Sequence, residues 1–188
     1  GLFVVYDELA AKEPVKWNYL LHTVELPMEI TGEEGGLRIL GKNKADGISV
    51  AHLFSSQEMT YAQTDTFFVA AVDWKNRLGK SMDNHYHFTA TTTPCTRTCF
   101  LNVIDVHGNN RPDIIVTRDG NSILADGWVI ECNLAGDSTP YLRIRNDHKN
   151  VSLDFNYDTN KGVTTIIDHV NGKKVEKKLV DFLPSFEI

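Results

Sequence analysis

The sequence predicts an all-β fold, an antiparallel β-sandwich of supersandwich-like type with little helix. Three observations carry that expectation. Short runs rich in β-branched and aromatic residues recur along the chain, and turns built on Gly, Asn and Asp separate them at a spacing of roughly 8 to 12 residues. No stretch sustains a helical apolar spacing beyond two or three turns.

Taken in order, Leu2 to Tyr6 opens the chain as an apolar strand, and Glu8 to Glu13 reads as no more than a short turn before Pro14. Trp17 to Leu26, Leu37 to Leu40 and Ile48 to Phe54 follow as strands, and Ser55 to Gln63 reads equally as a brief helix or a strand. Thr66 to Trp74 contains Phe67-Phe68-Val69-Ala70-Ala71-Val72, apolar without interruption, the pattern of a strand covered on both sides. Asp83 to Thr92 alternates: Tyr86, Phe88 and Ala90 share one face, and Asp83, His85, His87 and Thr89 share the other. Thr98 to Val106, Ile114 to Thr117, Ser122 to Ala125, Trp128 to Asn133, Tyr141 to Arg145, Val151 to Phe155, Val163 to Val170 and Lys173 to Val180 complete the set. The turns at Asp119-Gly120, Asp126-Gly127 and Asn171-Gly172 supply residues that tolerate the positive φ of tight hairpins.

A chain of 188 residues without a repeat, low-complexity linker or composition shift reads as one β-sandwich domain over 1–188. Its opening directly in a strand reads as the cut end of something longer. With 41% hydrophobic and 23% charged residues it is globular in composition, and no apolar run approaches the ~18 residues of a membrane span. No signal peptide is seen at the start. A formal net charge of −6 argues against nucleic acid as a partner, because counterion release rewards an excess of Lys and Arg. Cys95, Cys99 and Cys132 are odd in number. Four residues of extended strand set Cys95 and Cys99 about 13 Å apart, beyond disulfide reach, so the cysteines read as small core hydrophobes.

Leu78-Gly79-Lys80-Ser81 ends like a phosphate-binding loop, but the position that needs the earlier glycine is Trp74. No nucleophile elbow, His-Glu-x-x-His pair or dinucleotide fingerprint occurs. Asp83, His85 and His87 are the sharpest cluster. Alternate residues of a strand project side by side, and one carboxylate with two imidazoles is a reasonable zinc ligand set, although a solvated polar face is the plainer reading and the preferred one. His22 reads as a hydrogen-bonded core histidine or an interface residue, and Trp17, Trp74 and Trp128 read as core residues. Lys173, Lys174, Lys177 and Lys178 form the one dense basic segment. They are candidates for contact with an acidic polysaccharide, but strand alternation divides them between two faces, and a lysine-guarded edge strand is the preferred reading.

Leu2 to Pro27, with Tyr6-Asp7 followed by a Pro-containing loop and Trp17 to His22 in a Trp-x-x-x-x-His strand, resembles the heparinase II/III-like family of polysaccharide lyases. Thr93-Pro94 through Phe100 to Ile104 resembles that family's strand just after a proline. The resemblance implies a C-terminal β-sandwich that supports an N-terminal α/α toroid of the same parent chain. The whole enzyme would cleave uronic-acid-containing glycans by β-elimination in the periplasm or outside the cell. The family's catalytic residues and its His/Asp metal motif belong to segments that match nothing here, so the resemblance assigns no catalytic residue, metal ligand or cofactor to this chain. Two other readings stand beside it: a free-standing carbohydrate-binding module for an acidic polysaccharide, and a small metal-dependent hydrolase or lyase using Asp83, His85 and His87. The lyase-domain reading predicts an exposed apolar surface, the binding module a groove with coplanar exposed aromatics, and the metal-dependent enzyme a convergence of Asp83, His85 and His87 on one point.

Overall fold

The computed structural model describes residues 1–23, 26–65, 85–135, 140–158 and 160–178, and throughout these the chain is strands and turns. The strands are β1 (Leu2–Val15), β2 (Asn18–Thr23), β3 (Glu29–Glu33), β4 (Gly36–Lys42), β5 (Gly47–Ser55), β6 (Met59–Thr64), β7 (Tyr86–Thr92) and β8 (Cys95–Gly108). They continue as β9 (Val116–Asp119), β10 (Ser122–Ala125), β11 (Trp128–Cys132), β12 (Tyr141–Asn146), β13 (Val151–Asp158), β14 (Val163–Asp168) and β15 (Lys173–Lys178). They form three antiparallel sheets, with the orders β1-β8-β5-β4-β3, β15-β14-β13-β12-β11-β10-β9 and β2-β7-β6.

The five-stranded sheet is the middle layer of this β-sandwich. Val50 to Ser55 of β5 and Thr98 to Val103 of β8 are buried at every position, which requires cover on both faces of the sheet. One face carries Phe54, Cys99, Leu101 and Val103, packed against Ile123, Ala125, Ile130 and Cys132 of the seven-stranded sheet. The other carries Leu37, Ile39, Ala51, Leu53 and Phe100, packed against Phe88 and Ala90 of the three-stranded sheet. Neighbours such as Leu53 and Phe54 therefore serve different cores, as the period of two along a strand demands. Asn102 joins two layers: fully buried, it donates from Nδ2 to the Tyr19 hydroxyl at 2.9 Å. Cys95, Cys99 and Cys132 are all free thiols, with Cys99 and Cys132 in the first core.

The hairpin turns have the expected chemistry. Gly120 and Gly172 take φ of 59° and 64°, and Asp126-Gly127 takes 50° and 76°. Elsewhere the structure corrects the reading of the sequence. The turn expected at Glu8 to Glu13 is strand, because β8 continues past Tyr6 to pair Asp7 with Phe100 and Ala10 with Arg97 before the register breaks ahead of Val15. β3 had no counterpart in the sequence reading, and the ambiguous Ser55 to Gln63 resolves as β6. The strand expected at Thr66 to Trp74 lies outside the described residues, as does Asp83. The doubly covered strands that the structure does describe are β5 and β8. At its β15 edge the seven-stranded sheet outruns the core: Leu142, Phe155, Ile166 and Val175 align across four strands, and Val175 is exposed.

Candidate functional site

β7 is the middle strand of the three-stranded sheet and turns Phe88 and Ala90 into the second core. Alternation then sends His87 to the outer face, where the register sets it directly between His22 of β2 and Thr64 of β6. His22 is exposed there rather than buried in the core, because the inward positions of β2 belong to Tyr19 and Leu21. Its Nε2 lies 3.2 Å from His87 Nδ1, and the two rings meet edge to face with centroids 4.4 Å apart. Partial desolvation holds the His87 imidazole below its ordinary pKa, and the neighbouring His22 and His85 push it the same way. The outer-face placement of His87 agrees with the sequence reading, whereas its pairing with His22 was not foreseen. Among the described residues no three or more His, Cys, Asp or Glu side chains gather as a metal site, and Asp83 lies outside them.

Lys173, Lys174, Lys177 and Lys178 lie on β15, an edge strand of the seven-stranded sheet. The register pairs Lys173 with Asp168, Lys174 with Ile167 and Lys177 with Thr164, so Lys174 is on the opposite face from Lys173 and Lys177. Lys174 is already engaged by Glu176 at 3.0 Å. On the face that carries Lys174, a cleft of about 430 Å³ is lined by Glu131, Tyr141, Arg143, Asp154 and Asn156. Arg143 reaches Asp154 at 2.9 Å and Glu131 at 3.3 Å, and His169 reaches Asp154 at 3.1 Å. Burial pushes the Asp154 carboxyl up, but hydrogen bonds from Arg143 and His169 and their charges outweigh it and hold the group below the usual carboxylate range. The cleft thus presents a guanidinium whose charge is met by its own carboxylates, a poor receptor for a polyanion. The exposed aromatics Phe3, Tyr61 and Tyr157 lie in three different sheets, so among the described residues they form no common stacking platform.

The sequence reading passed over a charged cluster where β8 leaves the middle sheet. Asp105, 1% exposed, accepts from both terminal nitrogens of Arg111 and from the Ile114 amide at 3.3 Å. His107 Nε2 lies 3.1 Å from Asp113, which Arg38 of β4 also binds at 2.5 Å. Burial raises the Asp105 carboxyl, yet the Arg111 and Ile114 hydrogen bonds and the charges of Arg111 and His107 carry it below the ordinary range. The cluster ties the β8–β9 connection to the middle sheet. Its signal in the sequence was an acid inside the run Phe100 to Val106, which is apolar apart from Asn102 and Asp105.

Of the residues that carry the family resemblance, Tyr6 and Trp17 are used for packing. The Tyr6 hydroxyl donates to Glu8 at 2.9 Å, Glu8 is held by Arg97 at 2.7 Å, and burial, reinforced by Glu8, pushes the Tyr6 pKa upward, the wrong direction for proton transfer near neutrality. Trp17 packs against the second core and donates from Nε1 to the Cys95 carbonyl at 3.3 Å. Trp128 packs against the first core with Lys149 over its ring, and Trp74 lies outside the described residues. Burial raises the Cys99 thiol and pushes Cys132 up to about 12, so both stay protonated and unreactive at neutral pH. No protein-family model and no curated protein matches the chain.

Proposed function

We propose that this chain is the non-catalytic C-terminal β-sandwich of a heparinase II/III-like polysaccharide lyase, which supports a catalytic α/α toroid and lines part of its glycan cleft. One observation carries the reading. The opening strand of the first resembling segment, β1, lies beside the second resembling segment, Thr93 to Ile104: Tyr6 pairs with Leu101 and Asp7 with Phe100 at the edge of the middle sheet. Tyr6 in that strand and Trp17 just after it pack and hydrogen-bond within the sandwich, the behaviour of a scaffold. The same edge leaves Phe3, Val5 and Val106 exposed on one face, at 56%, 39% and 42%, which supports an apolar contact with a neighbouring domain.

β-Elimination needs a base, an acid and a group that neutralises the uronate carboxylate, all converging on one sugar. The test is the ultraviolet absorbance of the new carbon–carbon double bond on heparan, chondroitin and alginate. The expected result is none from these 188 residues and growth from the longer protein that contains them. Absorbance from the isolated chain that vanishes in His85→Ala would overturn the reading in favour of the metal-dependent enzyme.

A further inference from the structure

The outer face of the three-stranded sheet places two imidazoles from different strands at the separation of cis ligands on one metal ion. From this we infer that His22 and His87 form a chelating site for a divalent transition metal such as Zn²⁺. The geometry rests on backbone register. His22 and His87 are directly opposed partners in β2 and β7, so the rigid ladder, not the chance meeting of two mobile side chains, brings them together. Their facing nitrogens, Nε2 and Nδ1, are 3.2 Å apart. With zinc–imidazole bonds of ~2.05 Å, two nitrogens at that distance subtend about 100° at the metal, between the octahedral and tetrahedral values. In the metal-free pair one ring donates a proton to the other. A metal takes that proton's place, the proton passing through solvent to the other nitrogen of the same ring so that both imidazoles stay neutral, after small side-chain rotations that turn both lone pairs toward one point.

The donor chemistry selects the ion. Two neutral imidazoles suit Zn²⁺, Cu²⁺ and Ni²⁺, whereas Mg²⁺ and Ca²⁺ require oxygen donors. His85 lies two residues from His87, near enough for its charge to be felt there. Two protein nitrogens leave the remaining coordination positions to water, so the bound ion is exchangeable and open to an outside ligand. The site differs from the one read along a single strand from Asp83, His85 and His87: it crosses two strands and requires His22.

The test is a titration of the 188-residue chain with Zn²⁺ and, separately, Mg²⁺ at neutral pH, following the imidazole ring protons by NMR. The ring signals of His22 and His87 are expected to shift or broaden together at the same Zn²⁺ concentration and to ignore Mg²⁺. In His22→Gln the Zn²⁺ affinity is expected to fall by about tenfold or more, because the chelate is reduced to a single imidazole. A Zn²⁺ response at His85 and His87 without His22 overturns the proposal, as does a response confined to other histidines, no response at all, or unchanged affinity in His22→Gln. The wild-type titration decides alone if that variant does not fold.

Discussion

Asp105 is the side chain on which the charged cluster at the end of β8 depends. It is 1% exposed and its carboxylate is answered by Arg111 and a backbone amide, so removing the guanidinium leaves a buried charge without its main partner. Arg111→Ala is expected to lower the urea midpoint of unfolding, because the buried Asp105 carboxylate loses its main partner. The pH dependence follows from the same contact. The folded carboxyl titrates below its unfolded value of about 3.9, so its stabilisation is fully present above that pH and is lost as pH falls through the depressed folded value. The acid limb of the stability curve is expected to flatten in Arg111→Ala. A variant as stable as wild type, with an unchanged acid limb, would remove the cluster from the account. The cluster was only half legible in the sequence. An acid in a largely apolar run is visible, but its partner Arg111 comes from a loop, Arg38 of another strand holds the neighbouring Asp113, and no local pattern joins them.

Among the elements, β5 bears the most specific expectation. Leu53 faces the core shared with the three-stranded sheet and Phe54 the core shared with the seven-stranded sheet. Both Leu53→Ala and Phe54→Ala are therefore expected to be costly, by about 2–5 and about 3–5 kcal/mol respectively in denaturant unfolding. A strand covered on one face would tolerate one of the two, and that outcome would contradict the layer assignment. Strands of this kind are easy to read, because alternation or an unbroken apolar run survives in the sequence. β3 escaped notice because Glu29-Ile30-Thr31-Gly32-Glu33 contains one large apolar residue and a glycine; pairing with β4, not local preference, makes it a strand. The second half of β1 was misread for the same reason, since Lys12-Glu13-Pro14 announces a turn while β8 offers backbone partners up to Ala10. The cross-strand meeting of His22 and His87 depends on a register that a single sequence does not contain.

At the scale of the molecule, one sheet closes two cores, and this arrangement lets a chain of 188 residues stay all-β without a helical layer in its described parts. It also ranks the sheets. Backbone amides of β5 and β8 in the middle layer are shielded from water on both sides, whereas β15 is an edge along which Lys173, Lys174 and Lys177 are exposed. Local opening is cheapest where few apolar contacts hold a strand, and it approaches the global unfolding free energy in a core strand. The packing rests on this doubly covered sheet, as does the proposed scaffold role, so amide hydrogen exchange resolved by strand tests the account most directly. The slowest exchange is predicted in Val50 to Ser55 and Thr98 to Val103, intermediate rates in β2, β7 and β10 to β12, and the fastest in Lys173 to Lys178. Exchange in β5 and β8 no slower than in the two outer sheets would contradict it.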